Sequence, residues 1–243
     1  MRDGTLRKFG ILRTFTFAGL MAVTGGCDSN AALAPAPALV AAAEAASPLY
    51  DFPEARSRTD VARRRVWMLT YEGVFVQDGA GPLKSLQLPD WQWAGAPYGC
   101  LPDLALGPKG EAVVTSDVLS TLWRIDPETL AVSVHPLVLD AEADRDVGFS
   151  GLAWSERHGA YFAVSNGQGS LWRIDPMLRR AQKIALSEPV RHACGLATQA
   201  RGTERKTEKL AGLCVHTAQG SRSIDLAPDQ RSAYLRNASC RAL

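Results

Sequence analysis

One hexapeptide occurs twice in this chain of 243 residues. Leu-Trp-Arg-Ile-Asp-Pro occupies residues 122–127 and again residues 171–176, which places Trp123 and Trp172 49 residues apart. Each copy is preceded by Leu-Ala, a glycine turn, an apolar run and a polar turn, in the same order. Similarity at a fixed period is characteristic of repeat architectures, so the sequence predicts a repeated structural unit of this length.

Two further copies extend the pattern. Val74–Asp78 aligns with residues 122–126, 48 residues later, and Ile224 aligns with Ile174, 50 residues earlier. Each unit contains four short strand-like segments separated by turn residues, which is typical of a β-propeller blade. We therefore predict an all-β fold, a β-propeller of about four four-stranded blades over residues 50–243. The pattern does not decide among three arrangements of the four units. They could close into a ring, form an open fragment, or complete a propeller with a second chain in a dimer.

The alternation of a strand explains why the hexapeptide is repeated. Successive side chains point to opposite faces of a sheet, so Trp123 and Ile125 should pack against one neighbouring blade. Trp172 and Ile174 should do the same one unit later. Asp-Pro then ends the strand, because proline donates no ladder hydrogen bond and aspartate favours turns. The repetition is accordingly predicted to be structural rather than catalytic.

The innermost strand of the first blade is the least evident one. Tyr50–Val61 occupies the expected place, but its sequence is polar for an inner strand. The overlapping basic stretch Ala55–Arg65 is expected to form a solvated face, with contact to anionic lipid as the alternative. The first blade is therefore predicted from its later strands.

The N-terminus predicts export. Four basic residues are followed by the apolar stretch Thr14–Thr24, whose 11 residues would rise about 16 Å as a helix, half of a bilayer core. The stretch is followed by Gly-Gly-Cys and resembles the lipobox of bacterial lipoproteins, except that Thr24 stands where that pattern prefers leucine. The resemblance implies a lipoprotein-type signal peptide over residues 1–26 and lipidation of Cys27. An ordinary secretory signal is the alternative.

The segment after Cys27 predicts a tether. Residues 27–49 are rich in alanine and proline, a composition that favours extended chain and cannot build a core. Without the first 26 residues the formal net charge is −1, so a nucleic-acid partner is not expected. We expect the protein at the bacterial cell envelope, attached to the membrane through its lipid and facing the periplasm. The sequence does not decide whether this membrane is the inner or the outer one.

The remaining cysteines predict disulfides. If Cys27 is lipidated, four remain in an oxidising compartment, which allows three connectivities: Cys100, Cys194, Cys214 and Cys240. We favour Cys100 with Cys194 and Cys214 with Cys240, because the second pair is close in sequence and would fasten the C-terminus. Four free buried thiols are the alternative.

The segment from Phe149 to Pro176 resembles propellers of the NHL, YVTN and gluconolactonase-like families. The gluconolactonase-like enzymes bind a divalent metal in the central channel through an Asn before Gly-Leu and an Asp before Gly. The resemblance implies that the matching positions of this chain should be tested for such a site. Here Ser150 and Cys194 occupy those positions, and neither is a good ligand for Ca²⁺ or Mg²⁺. The comparison therefore argues against that activity, and no metal or other cofactor is predicted.

Two groups of residues merit attention as sites. Trp91, Trp93 and Tyr98 lie in a long connection between blades and could bind a partner or fill the channel or the inter-blade core. The channel could also receive four polar side chains at strand starts or nearby turns, which are Asp103, Asp117, Ser150 and Asn166. We predict no catalytic residue and expect a non-enzymatic binding or scaffold module for a periplasmic protein or small molecule. A periplasmic metal-dependent hydrolase with a degenerate channel site is the alternative.

Overall fold

The computed structural model describes residues 55–94, 100–140, 148–165, 167–198, 212–217, 219–236 and 240. The predicted signal peptide, Cys27 and the tether lie outside the described residues, as do Tyr98 and Asn166. The part that is described contains strands and turns, and in it there is no helix with the length and apolarity to cross a membrane.

The strands form four successive units of four. Unit 1 contains β1 (Arg56–Asp60), β2 (Arg65–Thr70), β3 (Gly73–Asp78) and β4 (Leu83–Leu86). Unit 2 contains β5 (Leu104–Leu106), β6 (Ala112–Val114), β7 (Thr121–Ile125) and β8 (Val132–Pro136), and is followed by the short β9 (Val138–Leu139). Unit 3 contains β10 (Gly151–Ser155), β11 (Ala160–Val164), β12 (Leu171–Ile174) and β13 (Arg180–Leu186). Unit 4 contains β14 (Ala193–Thr198), β15 (Gly212–Thr217), β16 (Gly220–Leu226) and β17 (Ser232–Arg236).

Each unit is an antiparallel meander. Its strands pair in chain order, so the first strand lies at one edge of its meander and the fourth at the other. The third strands are β3, β7, β12 and β16, which are the segments that the repeat aligned. The predicted all-β repeat of four-stranded units is thereby confirmed.

Alternation along the third strands fills the spaces between units. Trp123 and Ile125 are buried with apolar side chains of unit 1, and Trp172 and Ile174 are buried with those of unit 2. Leu122 points the other way, into the cluster between units 2 and 3. A third cluster joins units 3 and 4 in the same manner. Apolar contact between neighbouring sheets is therefore the main force that stacks the units.

The turn after each third strand has a recurrent conformation. Leu130, Leu178 and Gln230 all have a positive φ, between 56° and 59°. Asp126 and Asp175 of the Asp-Pro pairs accept backbone N–H groups of their own turns, as expected of aspartate in this position. The Asp-Pro end of the hexapeptide thus forms a turn.

Two parallel pairings were not anticipated. β13 pairs with β17 through Ala185 and Leu186, so the outer strands of units 3 and 4 belong to one sheet. The short β9 also pairs with β13, which links the connection after unit 2 to unit 3. Both join edges that the repeat pattern alone treats as separate, because the repeat encodes pairing within a unit and not between units.

The polar innermost strand of unit 1 does form. β1 pairs with β2 over all five of its residues, and the exposure of its side chains alternates. Arg56 and Arg58 are turned inward, and Arg65 at the start of β2 is buried and pairs with Asp78 at 2.5 Å. The expectation of a solvated basic face is therefore wrong for Arg65, which is buried.

Candidate functional site

The first strands of the four units surround a cavity. Residues of β1, β5, β10 and β14 line it, together with Cys214 and His216 of the adjacent β15. Its volume is about 570 Å³, which lies within the range of small-molecule sites in proteins. Because a first strand has a neighbour on one side only, its other side presents unpaired backbone groups to this cavity.

Asp103 satisfies several of those groups at once. Its side chain is fully buried and accepts the N–H of Leu104 at 2.8 Å on Oδ1 and the N–H of Leu152 at 2.9 Å on Oδ2. The N–H of Leu196 lies 3.4 Å from the same Oδ2. Arg58 donates its Nη2–H to Oδ1 at 3.0 Å. One carboxylate therefore connects the first strands of all four units.

Gly151 allows this convergence. An added Cβ at Gly151 would lie 2.8 Å from the carbonyl carbon of Gly195 and 2.9 Å from the nitrogen of Leu196. Only glycine permits so close an approach of two backbones without displacement. The glycine at the start of the first Gly-Leu-Ala copy is thus explained by packing of β10 on β14.

Arg56 connects the first unit to the last. Its guanidinium donates to the carbonyl oxygen of Cys194, and its Nε–H is buried without an acceptor. His216 lies across β14 from it, with Nδ1 2.7 Å from the hydroxyl oxygen of Ser221. Asp103 neutralises Arg58, so Arg56 gives this end of the cavity a positive charge.

The structure contains both favoured disulfides. Cys100 bonds to Cys194 with Cα atoms 5.1 Å apart, and Cys214 bonds to Cys240 with Cα atoms 5.8 Å apart. The first crosslinks the connection before β5 to the start of β14; Cys100 is three residues before Asp103, and Cys194 directly precedes Gly195. The predicted pairing is confirmed.

The other polar residues predicted for the channel have different positions. Asp103 lines the cavity, whereas Ser150 and Asp117 do not, and Asn166 lies outside the described residues. Ser150 is buried and donates its hydroxyl to the carbonyl oxygen of Ala193 at 2.5 Å. Asp117 accepts the N–H of Ala94 at 2.8 Å, and burial raises the pKa of its carboxyl. Asp103, Ser150 and Asp117 therefore do not gather around one point.

The side chains at the family's metal positions do not fit a divalent cation. The Ser150 hydroxyl is used by a carbonyl, the Cys194 sulfur is in a disulfide, and both oxygens of Asp103 already accept N–H groups. Among the residues that the structure describes, no three His, Cys, Asp or Glu side chains lie together as a metal site would require. We therefore derive no chemistry through a metal.

The aromatic connection is attached to the neighbouring turns. Trp91 packs against the cluster between units 1 and 2 and donates its indole N–H to Thr115 O at 2.8 Å. Trp93 stacks on Tyr71 with ring centroids 4.2 Å apart and donates to the Tyr71 carbonyl at 3.1 Å. Trp91 thus contributes to the inter-blade core, and Trp93 forms a partly buried aromatic pair. A binding role for Trp93 stays a prediction.

The sequence did not identify three residues that line the cavity, namely Arg56, Arg58 and His216. The available signal was the alternation Arg-Ser-Arg at the place of an inner strand, because polar residues there must face the channel or water. His216 gave no such signal, since its position depends on the pairing of β15 with β14.

No protein-family model and no curated protein matches this sequence. Solved structures do resemble it. Virginiamycin B lyase from Staphylococcus aureus matches with a TM-score of 0.54 at 13% identity, over 76% of this chain and 56% of that one. A streptogramin B lyase matches with a TM-score of 0.53 at 15% identity, over 80% and 58%. An auxiliary nutrient binding protein from Bacteroides thetaiotaomicron matches with a TM-score of 0.51 at 8% identity, over 78% and 43%.

These similarities concern the fold. The chain spans about half the length of the solved structures that it matches, and the identities are too low to transfer a site or an activity. The matched structures are propellers, in agreement with the meanders and inter-unit clusters described above. The chain therefore folds as a β-propeller that resembles the NHL and YVTN repeat types.

Proposed function

We propose that this protein is an exported, lipid-anchored β-propeller that serves as a non-enzymatic binding module at the cell envelope, facing the periplasm. The Gly-Gly-Cys sequence at Cys27, the apolar segment before it and the tether of residues 27–49 support export and anchoring. Two disulfides among the other four cysteines are consistent with an oxidising compartment. The lipid would hold the protein at the membrane, and the propeller would bind a periplasmic protein or small molecule.

The hydrogen bonds that Asp103 accepts are the observation that favours binding over catalysis. A general acid or base must exchange a proton with substrate, so it needs a lone pair or proton directed at the substrate. Asp103 instead accepts four N–H groups of the protein, and Ser150 and Cys194 are likewise engaged. What the cavity offers to a ligand is cationic donors and apolar surface, which suit recognition.

The fold itself decides nothing between the two functions. A lyase and a nutrient-binding protein are both among the structures that the chain resembles. The metal-dependent hydrolase remains the alternative, and it differs from the binding module in one measurable respect. It requires a stoichiometric divalent ion in the channel.

Intact mass tests the anchor. We expect the protein extracted from membranes to begin at Cys27, to carry diacylglyceryl and acyl mass, and to gain about 4 Da on reduction of two disulfides. The control is Cys27→Ser, which should be found outside the membrane fraction without added lipid mass. An unmodified wild-type chain cleaved at another residue would contradict lipid anchoring.

Metal content tests the hydrolase alternative. We expect the purified mature protein to contain no stoichiometric divalent metal and to unfold at the same temperature in EDTA, Ca²⁺ or Mg²⁺. The reason is that no free hard-oxygen ligand set faces the described part of the channel. One metal per chain with a Tm that rises by several degrees on metal addition would favour the hydrolase and contradict the binding module.

A further inference from the structure

The cavity between the first strands has one polar end and an apolar wall. Arg56, Arg58, Asp103 and His216 supply the charged and polar groups. The apolar wall is formed by Leu106 of β5 and Trp154 of β10, which are partly exposed, whereas the side chains of Leu152 and Leu196 are buried between the units. A cavity divided in this way fits a molecule with one charged end and an apolar body.

The charge at the polar end is positive. Asp103 is the one acidic side chain among the described residues that line the cavity, and its charge is balanced by Arg58. Among the described residues, no carboxylate forms an ion pair with Arg56. One of its guanidinium N–H groups binds the Cys194 carbonyl, while its Nε–H is buried and has no acceptor. Its Nη1 faces the open position at Gly195, where a guanidinium N–H can donate to an anionic ligand.

Gly195 leaves space in front of this group. An added Cβ at Gly195 would be 3.8 Å from Nη1 of Arg56, 3.8 Å from Cδ2 of His216 and 3.9 Å from Oδ2 of Asp103. All three side chains therefore surround a position that has no side chain of its own. The indole N–H of Trp154, farther along β10, is also buried without an acceptor.

We propose that this cavity binds a small monocarboxylate with an apolar body. The carboxylate pairs with the Arg56 guanidinium beside His216, and the apolar body lies against Leu106 and Trp154. A guanidinium matches a carboxylate in geometry, and a single uncompensated cation suits a single negative charge better than the nearly double charge of a phosphate. This inference rests on the proposed binding function and specifies its ligand class.

Chemical-shift titration of the mature protein tests the proposal. The probes are octanoate and 4-phenylbutyrate, each compared with its own primary amide, and inorganic phosphate. We expect each carboxylate to bind at least about tenfold more tightly than its amide, and to shift the Arg56 Nε–H and Gly195 N–H signals. Inorganic phosphate, which lacks an apolar body, should bind more weakly than either carboxylate.

Variants locate the site. Arg56→Gln should weaken carboxylate binding about tenfold or more and leave the affinity for the amides nearly unchanged, whereas Arg56→Lys should retain part of the preference. Arg63→Gln is the matched control, because Arg63 follows the opposite end of β1 and pairs with Asp60 and Glu128 outside the cavity. Its affinity for carboxylates should equal that of the wild type. Thermal unfolding of each variant shows whether it remains folded.

Three results with the carboxylate and amide probes would overturn the proposal. They are equal affinity for carboxylates and amides, no saturable carboxylate binding, and unchanged carboxylate affinity in folded Arg56→Gln. Tight binding of inorganic phosphate would instead assign the site to a different anion and also overturn it. None of these results would alter the lipid mass or the metal content, so failure of the ligand class is distinguishable from failure of the proposed function.

Discussion

Replacing Asp103 with alanine is expected to lower the free energy of unfolding by about 3–5 kcal/mol. The change leaves the N–H groups of Leu104, Leu152 and Leu196 without their acceptor. Each buried unsatisfied donor costs about 1–3 kcal/mol. Arg58 adds little, because about a third of its side chain is exposed and water can solvate it. Urea unfolding at pH 7 measures the difference.

A matched control distinguishes the effect of Asp103 from that of an aspartate on the surface. Asp126 also accepts two backbone N–H groups, of Glu128 and Thr129, but it does so on the surface. Asp126→Ala should therefore cost about 1 kcal/mol, since water replaces the lost bonds. Asp103→Asn should fall between the two alanine variants, because the amide retains one of two acceptor oxygens. A loss below about 1 kcal/mol for Asp103→Ala would contradict the role of Asp103 as the link between units.

The two disulfides should differ in their contribution to stability. Their cysteines are 94 and 26 residues apart, so the chain-entropy model gives about 4.7 and 3.5 kcal/mol for the two crosslinks. Replacing Cys100 and Cys194 together with alanine should thus destabilise the protein more than replacing Cys214 and Cys240, by about 1 kcal/mol. Paired substitution avoids free thiols, and urea unfolding of both variants under oxidising conditions provides the comparison.

The informative result is which of the two double variants has the lower free energy of unfolding. The Cys100–Cys194 crosslink joins the connection before unit 2 to unit 4, whereas Cys214–Cys240 lies within unit 4 and the residues that follow it. A long crosslink between units should also make unfolding less cooperative when it is lost. If loss of Cys214–Cys240 were the more damaging, the long crosslink would not constrain the propeller as proposed.

The repeat was predictable because the information it carries is local. Trp123 and Trp172 mark the third strands, and the alternation around them determines which side chains face each neighbouring unit. Asp-Pro marks the turn that follows. These features depend on neighbours along the chain, so the sequence specifies them without knowledge of tertiary structure.

The site was only partly predictable because it depends on distant contacts. Asp103 was identified as a polar residue near the channel, but its partners Leu152 and Leu196 are 49 and 93 residues away. No local pattern indicates that one carboxylate receives backbone N–H groups from separate units. The polar sequence of β1 obscured Arg56 and Arg58 for the same reason, since their inward position is favoured by Asp103 and the Cys194 carbonyl.

The aromatic connection shows a second limit. Trp91 and Trp93 were grouped as one candidate site, yet their indole N–H groups bind different turns, at Thr115 and Tyr71. Hydrogen bonding to backbone carbonyls determines their direction, and such acceptors have no sequence signature. The disulfide pairing was predicted correctly by proximity for Cys214–Cys240, after which Cys100–Cys194 followed by elimination.

A coupling across a hydrogen bond is the most direct test of the account. We predict that a long-range NMR correlation on the isotope-labelled mature protein connects the amide nitrogen of Leu152 with the carboxyl carbon of Asp103, 49 residues away. The Leu152 amide should also exchange slowly with water and lose that protection in Asp103→Ala. An absent correlation together with rapid exchange of this amide in the wild type would show that Asp103 does not join the units of the propeller.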